Sequence, residues 1–229
     1  KALFASCINN QNKSACQDII KKGVPSIKQC QHTARGLNDC FSIGTIYVRA
    51  GNDKEAIKYY KRAIALGDNG AYCFLGYAYY SLNDFFNAKK YYEICCNTGN
   101  GNLNQKESCY NLGGLYYEGQ GVRQDYYKAH ELYKKACDMK ESRACNSLGI
   151  LYYYGQGVAQ DYKEANMLYE KACDLNNHIA CANLGSNYLY GRGVKKSKFI
   201  GMQLLRKACE LGNQESCDTY NRANEAGVQ

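Results

Sequence analysis

Cysteine is the residue type here with most chemistry to offer. Fourteen cysteines stand among 229 residues. They could close disulfides, hold a metal or act as nucleophiles. A zinc site asks for Cys or His pairs at close spacing, such as two cysteines separated by two residues. No such pair occurs, and His32, His130 and His178 are scattered without a ligand motif. A reducing cytosol would keep these thiols free. The count therefore predicts disulfides in an oxidising compartment, periplasmic or secreted, with no metal and no cofactor.

Other chemistries find little footing. A serine β-lactamase needs a Ser-x-x-Lys nucleophile with Ser-Asp-Asn and Lys-Thr-Gly support, and none of these strings is present. A phosphate-cradling glycine loop is not complete either. The net charge of +8 is spread over solvated lysine pairs such as Lys89-Lys90 and Lys134-Lys135, near helix ends that favour cations. Lys195-Lys196-Ser197-Lys198 is the densest run and, alone, does not argue for nucleic acid. No apolar run reaches the roughly 18 residues of a membrane span.

The elements that position the cysteines show themselves as a repeat. Cys137, Cys173 and Cys209 are 36 residues apart, and so are Cys145, Cys181 and Cys217. Leu112-Gly113, Leu148-Gly149 and Leu184-Gly185 keep that step. So do Gly119-Gln120-Gly121-Val122, Gly155-Gln156-Gly157-Val158 and Gly191-Arg192-Gly193-Val194. Each unit reads as two helices. The first runs from about Cys145 to Tyr154 and ends at Gly155, which tolerates a left-handed backbone. The second starts near Asp161, an acceptable N-cap, and reaches about Asp174. Ala165, Tyr169 and Ala172 share one face of it. Gly149 lies where the two helices cross, and its missing Cβ permits close approach. A single proline, Pro25, and the abundance of 23 tyrosines agree with a helical chain.

The Leu-Gly pairs, the Gly-x-Gly-Val loops and the Ala-x-x-x-Tyr-x-Lys-Ala-Cys segments at 129–137 and 165–173 resemble the Sel1-like repeat, a relative of the tetratricopeptide repeat. With its cysteines the chain is similar to the cysteine-rich Sel1-like proteins of Helicobacter. The resemblance is most specific over 109–217. It implies an all-α, right-handed α/α superhelical solenoid, stapled by disulfides, as a single repeat domain over 1–229. Residues 1–39 read as irregular N-terminal repeats, 40–96 as tetratricopeptide-like repeats and 97–229 as Sel1-like repeats with a terminal helix. Ile43-Gly44 and Leu75-Gly76 mark first helices in the middle section; Ala56/Tyr60/Ala63 and Ala88/Tyr92/Cys95 mark second helices. Pro25 is expected to open a short helix. Gly201 and Leu205 replace the Ala and Tyr of the last repeat. The opening residues Ala2 to Cys7 read like the end of a helix, which predicts a chain trimmed of a leader and earlier repeats.

Within this repeat, cysteines fall at the end of a second helix and the start of the next first helix. Bridges are expected at Cys7–Cys16, Cys30–Cys40, Cys96–Cys109, Cys137–Cys145, Cys173–Cys181 and Cys209–Cys217. One junction carries Ile64 and Tyr72 at the two cysteine columns and should be held by burial. Cys73 and Cys95 are left over, either as a seventh bridge or as buried thiols.

Tetratricopeptide relatives bind along their first helices. Carried over by column, the concave-face positions are Thr45, Val48, Arg49, Tyr77, Tyr80, Tyr110, Tyr117, Glu118, Asn146, Ile150, Tyr153, Tyr154, Ser186, Leu189 and Tyr190. Tyrosine supplies contact area with a polar tip at small entropic cost. Because hot spots are sparse, about half of these positions should touch a ligand. The expected partner is an extended peptide or protein terminus, from a host or envelope protein. The resemblance also implies an alternative, a penicillin-binding protein with weak β-lactamase activity that takes a β-lactam or peptidoglycan fragment, for which no catalytic residues are assignable.

Overall fold

The computed structural model describes residues 2–31, 39–98 and 103–225. Among these every regular element is an α-helix, and one isolated bridge pairs Gln31 with Asp39. The chain forms two compact units, Lys1–Asn100 and Gly101–Gln229.

The first unit contains α1 (Ala2–Ile8), α2 (Lys13–Lys22), α3 (Cys40–Ala50), α4 (Asp53–Ala65), α5 (Ala71–Ser81) and α6 (Phe85–Thr98). The second contains α7 (Leu103–Glu118), α8 (Tyr126–Asp138), α9 (Ser142–Tyr154), α10 (Tyr162–Asp174), α11 (His178–Tyr190), α12 (Lys198–Glu210) and α13 (Gln214–Glu225). In the second unit each helix packs on the next in sequence, so the unit is a stack of helix hairpins.

Caps set the helix starts. The side chain of Asp161 accepts from the N–H groups of Lys163 and Glu164 at 2.8 and 3.1 Å. Asp125, Asn177 and Ser197 do the same work for α8, α11 and α12, satisfying N–H groups that the helix itself leaves open. Gly155 and Gly191 end α9 and α11 in the left-handed region.

Inside each hairpin one glycine and one tyrosine interlock. A Cβ on Gly149 would lie 2.7 Å from a ring carbon of Tyr169, and the same holds for Gly44 with Tyr60, Gly76 with Tyr92 and Gly113 with Tyr133. The ring occupies the space of the missing methyl group, so the helices approach closely and the ring is buried. The last hairpin reverses the arrangement. There Leu205 faces Gly185, while Leu189 of the first helix fills the space over Gly201. The loops stack too: a Cβ on Gly157 would meet the Tyr126 carbonyl carbon at 2.6 Å, and one on Gly193 would meet that of Tyr162 at 2.6 Å. The second glycine of each of these two loops is thus pressed onto the start of the preceding repeat's second helix.

Bridges join Cys137 to Cys145, Cys173 to Cys181 and Cys209 to Cys217, with Cα separations of 4.6, 4.7 and 4.6 Å. Each ties one hairpin to the helix that follows. Cys7–Cys16 ties α1 to α2, and Cys30–Cys40 anchors the segment before α3. Cys73 and Cys95 are bonded to each other, across α5 and α6 within a single hairpin.

One expectation is corrected. Pro25 opens no helix: residues 23–26 have no regular structure and 27–29 form a turn. Ser26 closes that turn, its N–H and hydroxyl both donating to Gln29 Oε1 at 3.1 and 2.9 Å. The chain then enters the Cys30–Cys40 bridge. The Pro25 carbonyl accepts from the Tyr59 hydroxyl at 2.9 Å.

Candidate functional site

Helices α9 and α11 are consecutive first helices, and a pocket of about 380 Å³ opens between them. Ile150, Tyr153 and Tyr154 line it from α9, and Ile179, Asn183, Ser186 and Asn187 from α11. Tyr169 of α10 and Arg192 of the loop after α11 complete it. The loop backbone is held to the helix it leaves: Arg192 N–H donates to the Asn187 carbonyl at 3.0 Å, and Ser197 N–H to that of Tyr188 at 2.9 Å.

Two networks shape the site. In the first, tyrosines near the ends of first helices reach the next repeat's loop. The Tyr117 hydroxyl donates to Gln156 Oε1 at 3.2 Å, and one column later Arg192 Nη1 donates to the Tyr153 hydroxyl. The Arg192 guanidinium also lies 5.0 Å from the Tyr190 ring centre and 5.9 Å from that of Tyr153, a cation–π arrangement. In the second, asparagines bond one another below the surface. Asn166 Nδ2 donates to the Arg192 carbonyl at 2.7 Å, Asn187 Nδ2 to Asn166 Oδ1 at 2.6 Å, and Asn183 Nδ2 to Asn146 Oδ1 at 3.1 Å. Burial raises the hydroxyl pKa of Tyr169, with Tyr153 and Tyr154 adding to the shift. That ring stays a neutral phenol, and Arg192 is the formal charge among the lining residues.

The first-helix residues carried over from sequence scatter in environment. Ile150, Tyr153, Tyr154 and Ser186 line the pocket. Tyr190 stands 68% exposed beside Arg192, and Leu189 is turned onto Gly201. Asn146 is buried and bonded to Asn183. Tyr110 lies under the Arg143 guanidinium, 4.7 Å from its centre, and Tyr117 packs edge-on against Tyr126. Glu118 is exposed. In the first unit Tyr77 and Tyr80 are exposed, at 51% and 39%. Thr45 is engaged internally by the Tyr60 hydroxyl, Val48 packs on the core, and Arg49 donates to the Cys7 carbonyl at 2.8 Å. Sequence reading missed Tyr169, Ile179, Asn183, Asn187 and Arg192 as pocket residues. Two of these carry a signal: Asn187 stands where earlier repeats have the buried Leu115 and Leu151, and Arg192 where they have Gln120 and Gln156.

The family description "Sel1 repeat" matches residues 106–140, 142–177 and 178–213, and "Tetratricopeptide repeat" matches 40–66 and 70–97. The chain belongs to the tetratricopeptide-related Sel1-like repeat family. Its relatives include HcpC from two strains of Helicobacter pylori, named as a β-lactamase candidate. It is 48% identical over 48 residues in one strain and 43% over 51 in the other. Those matches cover 21% and 22% of this chain and only 15% and 16% of HcpC. A Sel1 repeat protein from Oxalobacter formigenes superposes with a TM-score of 0.73 at 23% identity, covering 95% of this chain and 93% of that one. The protective antigen c5321 of uropathogenic Escherichia coli superposes at 0.68 and 21% identity, covering 98% and 51%. These two structures share the fold of this Sel1-like, disulfide-stapled chain. Among its described residues no helix is long and apolar enough to cross a membrane.

Proposed function

We propose that this Sel1-like protein is an interaction scaffold of an oxidising, extracytoplasmic compartment. It captures an extended peptide or protein segment along its first helices, on the concave face. The observation that carries this reading is the pocket between α9 and α11, lined by Tyr154 and by Arg192, with the Tyr190 ring against that Arg192; the two rings are 65% and 68% exposed. Large rings left in water beside a pocket have a use in binding that they do not have in the core. The helices beneath are clipped by Cys173–Cys181, so the surface is preorganised and little order is lost when a partner docks. The family is consistent with such scaffolds. The abundance of disulfides supports the compartment.

A β-lactam-binding or hydrolysing role is carried by the name of HcpC over a small part of its length. Ser186 supplies an aliphatic hydroxyl in the pocket, and among the described residues no lysine or histidine side chain bonds to it. Activation of a serine needs such a base within hydrogen-bond reach, so the geometry favours binding over turnover.

The test is a crosslinking map. A photoreactive residue replaces Tyr154 or Tyr190 in one pair of variants, and Glu170 or Lys171 of the second helix α10 in another. Partner adducts that concentrate on Tyr154 and Tyr190 are expected. Adducts that concentrate on α10 would place the interaction on the other face.

A further inference from the structure

The bonding direction of the buried asparagines has a chemical consequence. The backbone carbonyl of Arg192 can only accept, so the Asn166 amide must turn its NH2 toward it, at 2.7 Å. That leaves Asn166 Oδ1 facing Asn187, which must answer with its own NH2, at 2.6 Å. The remaining oxygen, Asn187 Oδ1, has no hydrogen-bond partner among the described residues. Asn187 is only 2% exposed, yet it lines the pocket. An amide in place of the leucine of the two earlier repeats costs desolvation, and one bond to Asn166 returns part of it. An acceptor left over at a pocket wall asks for a donor from outside.

Arg192 asks for the opposite. It is a cation with no carboxylate partner among the described residues; a tyrosine hydroxyl and two tyrosine rings hold it. Neutral glutamine occupies the column in both earlier loops. A guanidinium fixed by rings keeps its remaining N–H donors in a planar fork suited to a carboxylate. The walls formed by Ile150, Ile179 and Tyr169 are apolar or aromatic.

We propose that the α9–α11 pocket selects a carboxylate-bearing peptide, whose carboxylate pairs with Arg192 and whose backbone N–H donates to Asn187 Oδ1. This deepens the scaffold reading and rests on it for the peptide nature of the ligand. The carboxylate has two sources, a chain terminus or an acidic side chain, and the recognition chemistry is shared. A penicillin carries a carboxylate and an amide N–H on a different frame, and is the competing occupant.

The experiment uses the full oxidised chain and three probes: N-acetyl-alanyl-phenylalanine as the free acid, the same molecule as its C-terminal amide, and N-acetyl-glutamyl-phenylalanine amide. Binding is followed by NMR at the Arg192 guanidinium and Asn187 side-chain resonances. The free acid should bind at least about fivefold more tightly than its amide, as a charge-assisted bond implies. Arg192→Gln, the residue of the earlier loops, should erase that preference, so that acid and amide bind alike in the variant. Asn187→Leu, the residue of the earlier helices, should weaken acid and amide alike. The glutamyl amide distinguishes the sources: tight binding assigns an acidic side chain, weak binding beside a tight free acid assigns a terminus. Equal binding of acid and amide, or a preference that survives Arg192→Gln, overturns the proposal. So does the absence of any shift at both resonances, or binding of benzylpenicillin in place of every peptide probe. Crosslinks on α10 together with a carboxylate preference at Arg192 would instead sink the scaffold reading and leave the pocket chemistry standing.

Discussion

The junction between α4 and α5 and the junction between α10 and α11 solve one problem in two ways. Both connect a second helix to the next first helix, and both leave the second helix through the same backbone bond: Asp68 N–H donates to the Ala63 carbonyl at 3.0 Å, and Asn177 N–H to that of Ala172 at 3.0 Å. Behind the turn, α10–α11 carries the Cys173–Cys181 bridge. Ile64 and Tyr72 occupy those columns in α4–α5. There Ile64 packs on the core and Tyr72 stacks on Tyr91 with ring centres 6.3 Å apart. Phe74 meets Phe41 edge-on at 4.8 Å and lies 5.9 Å from Tyr60. An aromatic cluster does for one junction what a covalent bond does for the other. Burial stabilises the folded state, whereas a disulfide acts chiefly on the unfolded chain. The two junctions should therefore respond to different insults.

The largest effect is expected from Phe74→Ala, which removes the ring between Phe41 and Tyr60. A cost of about 3 kcal/mol follows, at the low end for such truncations because Phe74 is only partly buried. Chemical denaturation of the oxidised protein measures it, and hydrogen exchange should show α3 to α5 opening first. The loss should be the same in the native background and in one that carries Cys173→Ser with Cys181→Ser. The paired change Cys173→Ser with Cys181→Ser comes next, at about 2.5 kcal/mol for a loop of this length. It should loosen α10 and α11 and leave α4 and α5 protected. If this pair instead opened α4–α5 as far as Phe74→Ala does, the junctions would not be independent.

What the sequence disclosed follows the same division. Cysteine, glycine and Ala-Tyr columns were legible because three copies repeat them, and each copy obeys the same packing constraint, such as Gly149 against Tyr169. Residues that depart from a column were harder to interpret. Asn187 and Arg192 were passed over because a search for periodicity rewards agreement, whereas their information lies in disagreement with Leu151 and Gln156. Groove positions carried over by column took no account of local competition. Tyr117 is engaged by Gln156, and Arg49 by the Cys7 carbonyl, because a long polar side chain takes the nearest partner its neighbours offer. Pro25 failed as a helix signal for a related reason: the Ser26–Gln29 turn and the nearby Cys30–Cys40 bridge outweigh one residue's preference.

The smallest effect sharpens the contrast most. Ile64→Cys with Tyr72→Cys would place a bridge in the junction that lacks one. The shared exit bond favours closure, and Ala71, which precedes Tyr72, is as fully buried as Ala180, which precedes Cys181. A closed nine-residue loop contributes about 2.5 kcal/mol. Against it stand the lost burial of Ile64 and the lost Tyr72–Tyr91 stack, together about 1.5 kcal/mol. A net gain of about 1 kcal/mol is expected, abolished by reductant, with no thiol left to alkylate in the oxidised variant. Two alkylated thiols would mean that the aromatic cluster holds these helix ends apart in a way the disulfide columns do not, and the equivalence of the two junctions would end at their backbone turns.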